Sequence, residues 1–555
     1  MALELRALVP MTARTSVALL AGAALVVALV SRTASLGPGT DVVTYHNDAA
    51  RTGQNLNESF LTPANITMTM FGKLGFLPVD GKVDAQPLYL SAVAMPGRGS
   101  PNVLYVATEH DSLYAFDADA GTLLWRVSVS GTGETTSDGR GCSQVVPEIG
   151  ITSTPVIDRT RGPNGVIYVV AMSQTSAGQY FQRLHALDLT TGGELFGGPR
   201  AIQATFPGTG ADSVGGTVTF DPKQHKERAA LLLLNGRIIT AWSSHCDIPP
   251  YTGWVMAHDA GSLALSGVLN VTPNGSDGAM WMSGSGPAAD AAGNVYVLDG
   301  NGTFDTTLDT RGFPSRGDFG NAFLKISATP GLAVADYFVA FNTVQQSNAD
   351  QDLGSGGAVV LPDLVDGSGA VRHLAVGAGK DAHIYVVDRD AMGKWNSVAN
   401  QIYQDMTGVL NGGVYSTPAY FDDTMYIGAV GDAIKAFSVV NARLSASAVS
   451  RTVRTFPYPG ATPAISANGT ANAILWAVEN TNPAILHAFD ARDLSRELYA
   501  SNQAAGGRDT VGTGNKFITP TIVNGHVYVG TTNGVAIFGL LNPPPAAPTG
   551  LRIVP

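Results

Sequence analysis

Between Trp281 and Lys380 the chain gathers side chains that chemistry uses. The stretch reads WMSGSGPAADAAGNVYVLDGNGTFD, then DFGNAFLK, then NADQDLGSGG, then GAGKDAHIYVVDRD. It holds the indole of Trp281, the amide of Asn301 between two glycines, two acids in Asp-x-Asp spacing at Asp350 and Asp352, and the amine of Lys380. Carboxylate and amide oxygens suit a hard cation, and a carboxylate can take a proton. An amine stabilises growing negative charge, and an indole stacks on a flat ligand. Each residue also has an ordinary structural use. An Asn between glycines makes a turn, loop aspartates form turns, a lysine before a strand is a surface charge, and a tryptophan packs between sheets. Each group stands at the end of a short apolar run, so a scaffold that brings strand ends together would turn them into a site.

The rest of the chain supplies such a scaffold. A pattern recurs in which a strand opens near Pro or Gly, a Tyr-Val strand follows, then a strand ending in Ala-Phe-Asp or a relative, then a turn and an outer strand. DAQPLYL leads to NVLYVATEHDSLYAFDADAGTLLW, and GITSTPVID leads to GVIYVVAMS and RLHALDLTTGGELF. Eight copies can be read, the last being FITPTIVNGHVYVGTTNGVAIFGLL. The spacing is uneven, as the steps between Pro87 and Pro155, Pro418 and Pro463, and Pro463 and Pro520 show. Short four-stranded units at such a period predict an all-β, eight-bladed β-propeller of antiparallel blades over residues 41–541. Radial packing buries each sheet against its neighbour and leaves only short edges. The last copy lacks an outer strand, and FGKLGFLPVDG near the N-terminus is expected to supply it and close the ring. Two β-sandwiches in tandem are the competing arrangement.

Composition narrows the function classes. The 555 residues carry 65 glycines, 45% apolar and 14% charged side chains, with a net charge of −11. An acidic chain without a basic run argues against a nucleic-acid partner, whose phosphates it would repel. Residues 1–40 read as a secretory signal or N-terminal anchor: Arg6 and Arg14 precede the apolar run Val17 to Val30, then Ser-Arg-Thr-Ala-Ser. That run is short of the roughly 20 residues a membrane span needs, and no later stretch is long and apolar enough. The chain is therefore expected to be exported, to the periplasm, the cell surface or the medium. Residues 542–555 (NPPPAAPTGLRIVP) read as a Pro-rich tail or linker. Two cysteines, Cys142 and Cys246, fit either a disulfide or two buried thiols. No Cys-x-x-Cys-His is present, so no c-type haem is expected. Serine-nucleophile motifs, phosphate loops and HExxH are absent. Glu109-His110-Asp111 offers three polar groups whose side chains alternate and cannot all converge. Glu148 is a candidate to enter the channel, and LPDLVDGSGAVRH, with Asp363 and Asp366, reads as a turn with a loose likeness to a Ca2+ loop.

The repeat elements TSTPVI, the Tyr-Val strands and AFDADAGTLLW, with Trp125 and Thr191-Gly192 as the best local matches, resemble the repeat of the quinoprotein alcohol dehydrogenases over residues 41–540. In that family a Trp opens one blade and stacks under pyrroloquinoline quinone (PQQ). An Asn at a strand end binds calcium, a later Asp is the catalytic base, and a basic residue before a Tyr-Val-x-Asp-Arg strand bonds the quinone oxygens. This chain has Trp281, then YVLDGN ending at Asn301, then Asp352, then Lys380, in the same order. The family's remaining calcium ligand is a Glu one blade earlier, and WSSHCDIPPYTGW puts Asp247 there. The resemblance thus implies Asp247, Asn301 and Asp352 as Ca2+ ligands, Asp352 as base, Trp281 and Lys380 as PQQ contacts, and a small hydroxyl-bearing substrate, an alcohol or sugar. Three departures stand out. Asp247 is shorter than Glu, Gln351 stands where a Trp usually precedes the base, and Ser143 follows Cys142 where the family has adjacent cysteines. Because Cys246 directly precedes Asp247, the resemblance implies a Cys142–Cys246 bridge beside the cofactor position. The alternative expectation is a non-catalytic extracytoplasmic propeller that binds a protein or a glycan.

Overall fold

Eight antiparallel sheets follow one another along the chain in a computed structural model that describes residues 41–541. The leader read in residues 1–40 and the tail read in residues 542–555 lie outside the described residues. Blade 1 is Leu88–Leu90, Val103–Ala107, Ser112–Asp117 and Leu123–Ser128. Blade 2 opens at Val156–Asp158, blade 3 at Leu232–Leu234, blade 4 at Ala288–Ala289 and blade 5 at Val359–Val360. Blades 6, 7 and 8 open at Ala419–Phe421, Ala464–Asn468 and Thr521–Val523. Inner strands are apolar throughout because both faces are covered. All five residues of Val103–Ala107 are buried, whereas the outermost strand, Leu123–Ser128, is largely open to solvent. Hydrophobic cores lie between successive blades and run round the whole ring, from blades 1 and 2 through to blades 7 and 8, and blade 8 packs back on blade 1. Tandem sandwiches would break that ring, so the propeller is the fold. No helix among the described residues is long and apolar enough to cross a membrane.

Closure comes from the N-terminal side, as the sequence suggests. Phe71–Pro78 pairs antiparallel with Gly534–Leu540 as the outer strand of blade 8. Phe71 is fully buried against Trp476, Tyr499 and Phe538, which ties blade 8 to blade 7.

A second closure is not visible in the repeat pattern. Residues 42–55 form a strap along the opening strands of the blades. Val42 pairs with Tyr89 of blade 1, and the Val43 carbonyl accepts from Ile157 of blade 2. The carbonyls of Ala49, Ala50, Thr52 and Gly53 accept from Ala289, Val360, Tyr420 and Ile465 of blades 4 to 7. Asn55 donates to the Ile522 carbonyl of blade 8. Arg51, fully buried, donates to the carbonyls of Pro287, Tyr45 and Leu231, which adds blade 3. The turn that folds the strap needs Gly53: its φ is +73°, and a Cβ there would lie 2.4 Å from the His46 ring. The strap fills one part of the central channel with Tyr45, His46 and Arg51.

Candidate functional site

The connections that lead into opening strands, and those that follow second strands, build one cavity of about 300 Å3. Asp247 lies between the second and third strands of blade 3, Arg237–Trp242 and Trp254–Asp259. Asn301 follows Asn294–Leu298 in blade 4, and Lys380 follows Leu374–Ala378 in blade 5. Trp281 precedes blade 4, and Asp350 and Asp352 precede blade 5. All of these line the cavity, together with Gln144, Cys246, Tyr415 and Tyr458.

The geometry is a short polar network. Lys380 Nζ lies 2.5 Å from Asp350 Oδ1 and 2.6 Å from Asp352 Oδ1. Asn301 Nδ2 donates to Asp350 Oδ1 at 2.7 Å. Asp247 Oδ1 accepts from the Tyr251 hydroxyl at 2.7 Å and from Ser244 Oγ at 3.2 Å. Close backbone approach sets this up. A Cβ on Gly354 would lie 2.4 to 2.6 Å from the backbone of Asp299 and Gly300, so glycine lets the Asp352 turn pack onto the strand end that carries Asn301. Burial pushes the Asp352 carboxyl up from its usual range, and the Lys380 ammonium opposes that shift. The two aspartates in turn hold the Lys380 pKa well above its ordinary value against the effect of burial. Behind them Asp299 is fully buried, its Oδ2 unpartnered, and burial raises its carboxyl well above the usual range.

This donor set suits a hard cation. Asn301 Oδ1 is buried and has no hydrogen-bond partner. Two carboxylates, Asp247 and Asp352, line the same cavity, and the acids of the network outnumber its single cation, Lys380. No group of three or more His, Cys, Asp or Glu side chains with metal-holding geometry occurs among the described residues, so such a cation would take the Asn301 oxygen as well as carboxylates. Part of the lining is aromatic. Tyr415 packs edge-on to Tyr458 at 5.4 Å, Tyr458 lies 6.4 Å from Phe517, and Phe517 packs edge-on to Trp281 at 6.0 Å. The Sγ atoms of Cys142 and Cys246 are bonded, with Cα atoms 5.5 Å apart, which ties the segment before blade 2 to the Asp247 loop.

The structure thus gathers Asp247, Trp281, Asn301, Asp352, Lys380 and the cysteine pair at one place. Sequence reasoning missed Gln144, Tyr415, Tyr458 and the bridging part of Asp350. A signal existed for the tyrosines: each stands a few residues before the proline that opens a blade, Pro418 and Pro463, as Trp281 does before Pro287. Other polar groups lie elsewhere. Glu148 bonds His110 and Thr136 and does not line this cavity, and Asp366 bonds Ser368 and Arg372 in a hairpin turn.

No protein-family model matches the sequence, and no curated protein matches it at a significant level. Solved structures do match the fold. The quinohaemoprotein alcohol dehydrogenase of Comamonas testosteroni superposes with a TM-score of 0.58 at 13% identity, over 94% of this chain and 83% of that one. A quinohaemoprotein alcohol dehydrogenase of Pseudomonas putida HK5 gives 0.57 at 13%, over 92% and 82%. A europium-containing methanol dehydrogenase gives 0.56 at 12%, over 90% and 98%. In fold, this chain resembles the quinoprotein alcohol dehydrogenases.

Proposed function

We propose that the chain is an exported quinoprotein oxidoreductase that holds PQQ and Ca2+ in this cavity and oxidises an alcohol or a sugar hydroxyl. The observation that carries the reading is the meeting, in one cavity, of five residues that lie in the order Asp247, Trp281, Asn301, Asp352, Lys380 along the chain. Asp247, Asn301 Oδ1 and Asp352 offer oxygens to the cation. Trp281 offers a stacking face, with the disulfide in the same wall system. When bound, the quinone would accept hydride and the cation would polarise it. Asp352 takes the substrate hydroxyl proton, since carbon releases hydride more readily as its oxygen loses a proton. Lys380, 2.6 Å from Asp352, favours the ionised carboxylate that a base requires and carries positive charge toward developing oxyanions. Tyr415 and Tyr458 line the cavity.

The test is equilibrium binding of PQQ with Ca2+ to the purified protein, together with dye-linked oxidation of primary alcohols and aldoses. Binding and turnover are expected in the wild type. Asp352→Asn, which keeps an oxygen but cannot take a proton, is expected to retain binding and lose dye reduction by at least ~100-fold. A wild-type protein that binds no PQQ at saturating cofactor removes the reading. One observation favours the alternative, a non-catalytic propeller that binds a protein or a glycan: the strap plugs part of the channel, as a rigid binding platform would. Absence of PQQ binding assigns the chain to that class.

A further inference from the structure

Two buried basic side chains stand against Trp281. Lys226 and Arg228, in the segment before blade 3, are each 1% exposed. Lys226 Nζ lies 4.8 Å from the centre of the Trp281 ring, and the Arg228 guanidinium lies 5.7 Å from it and 5.2 Å from the Phe517 ring. Among the described residues, Lys226 Nζ and Arg228 Nε have no hydrogen-bond partner. The neighbouring acids are Asp84 and Glu109. Asp84 pairs with Lys82 at 3.2 Å. Glu109 Oε2 accepts from the Gly150 amide and the Thr152 hydroxyl, and burial, with Asp84 beside it, raises its carboxyl well above the usual range. Burial and repulsion by Arg228 push the Lys226 ammonium down to about 7, while Glu109 and Asp84 act in the other direction. The basic side chains gathered here, Lys82, Lys226 and Arg228, outnumber the acids, Asp84 and Glu109, an arrangement that is costly unless something compensates it.

Trp281 connects this region to the cavity. Its ring lines the cavity and is partly exposed, whereas Lys226 and Arg228 are buried and do not line it. A cation on one face of an indole favours negative charge at the other, because the ring is polarised and the field passes through a medium that screens poorly. We infer that Lys226, with Arg228, is a positioning residue for an anionic planar ligand, drawing a flat polycarboxylate onto the cavity side of Trp281. This rests on the proposed quinone site and deepens it, since it makes the carboxylates of the ligand, and not only its ring, part of what the chain recognises. At a separation of roughly 8 Å and an effective dielectric of about 20, removal of one such charge weakens binding about ten- to thirty-fold.

The experiment measures PQQ affinity by quenching of tryptophan fluorescence in the full-length protein, for wild type, Lys226→Met and Lys226→Arg, with Ca2+ present. Lys226→Met is expected to bind ten- to thirty-fold more weakly and Lys226→Arg to recover most of the loss, which a packing role would not produce. The trimethyl ester of PQQ, offered to the wild type, is expected to bind weakly and by a similar factor, a readout independent of whether the variants fold. Equal affinity of wild type and Lys226→Met, or of PQQ and its ester, overturns this inference and leaves the functional reading standing. Absence of PQQ binding to the wild type overturns both.

Discussion

At the scale of single residues, burial decides which polar groups carry charge. Asp352 and Asp111 both have carboxyl groups pushed up by burial, but only Asp352 has a cation beside it. Asp111 is fully buried. It accepts from Ser130 Oγ at 2.8 Å, leaves Oδ1 unpartnered, and is pushed up to about 8. An acid whose folded pKa lies above its ordinary 3.8 keeps a proton in the fold that the unfolded chain has released. Stability contributed at this position therefore falls as pH rises from about 4 to about 8 and is level above that. Asp111→Asn removes the titration, and asparagine tolerates the positive φ of 52°. Melting curves should show a gain of about 1–3 kcal/mol over wild type at pH 8 and a smaller one at pH 5. A gain independent of pH would count against the buried neutral acid. The same scale explains what sequence missed. The run His225-Lys226-Glu227-Arg228 carries an imidazole, two basic groups and an acid, and all four side chains are buried. Nothing in their types announces burial, because the partners that shape their surroundings come from other blades.

At the scale of elements, the strap and the connections between strands do the positioning. Arg51 spreads one guanidinium over three carbonyls from the strap, blade 3 and blade 4. A lysine ammonium lacks that planar fork and cannot reach in three fixed directions. Arg51→Lys and Arg51→Ala are both expected to lower unfolding stability, by about 2 and about 3–5 kcal/mol respectively, as read from denaturant midpoints. An unchanged midpoint in Arg51→Ala would show that the strap does not clamp the blades. The strap was illegible in the sequence because its hydrogen bonds are made mostly by backbone carbonyls, which every residue type carries. The site-bearing connections were more legible. Asn301 and Lys380 stand shortly after apolar strands, and Asp352 lies in the connection that leads into one. Local strand chemistry therefore places them at the same end of their blades. The tyrosines were not recognised, since an aromatic before a proline has no mark that separates a cavity wall from packing.

At the scale of the molecule, closure makes eight marginal sheets one cooperative unit. Phe71 sits where the N-terminal closing strand meets the last blade, among Trp476, Tyr499 and Phe538. Phe71→Ala is expected to cost about 3–5 kcal/mol, and hydrogen exchange should rise first in Gly534–Leu540, the strand paired with Phe71–Pro78. Exchange that rises uniformly round the ring would argue against closure as the weak seam. The sequence by itself determined the all-β class, the eight repeats and the N-terminal closing strand. Short apolar runs between turn residues are a local code, and an unpaired outer strand is a deficit that can be counted. It also placed Asp247, Asn301, Asp352 and Lys380 at strand ends. Only the tertiary structure decided that these ends meet in one cavity, that Asp350 bridges Asn301 and Lys380, that tyrosines from two later connections line it with them, and that two buried basic side chains stand against Trp281. These are properties of distances between blades far apart in the chain. Such distances follow from the radius and registration of the closed ring, which no single repeat contains.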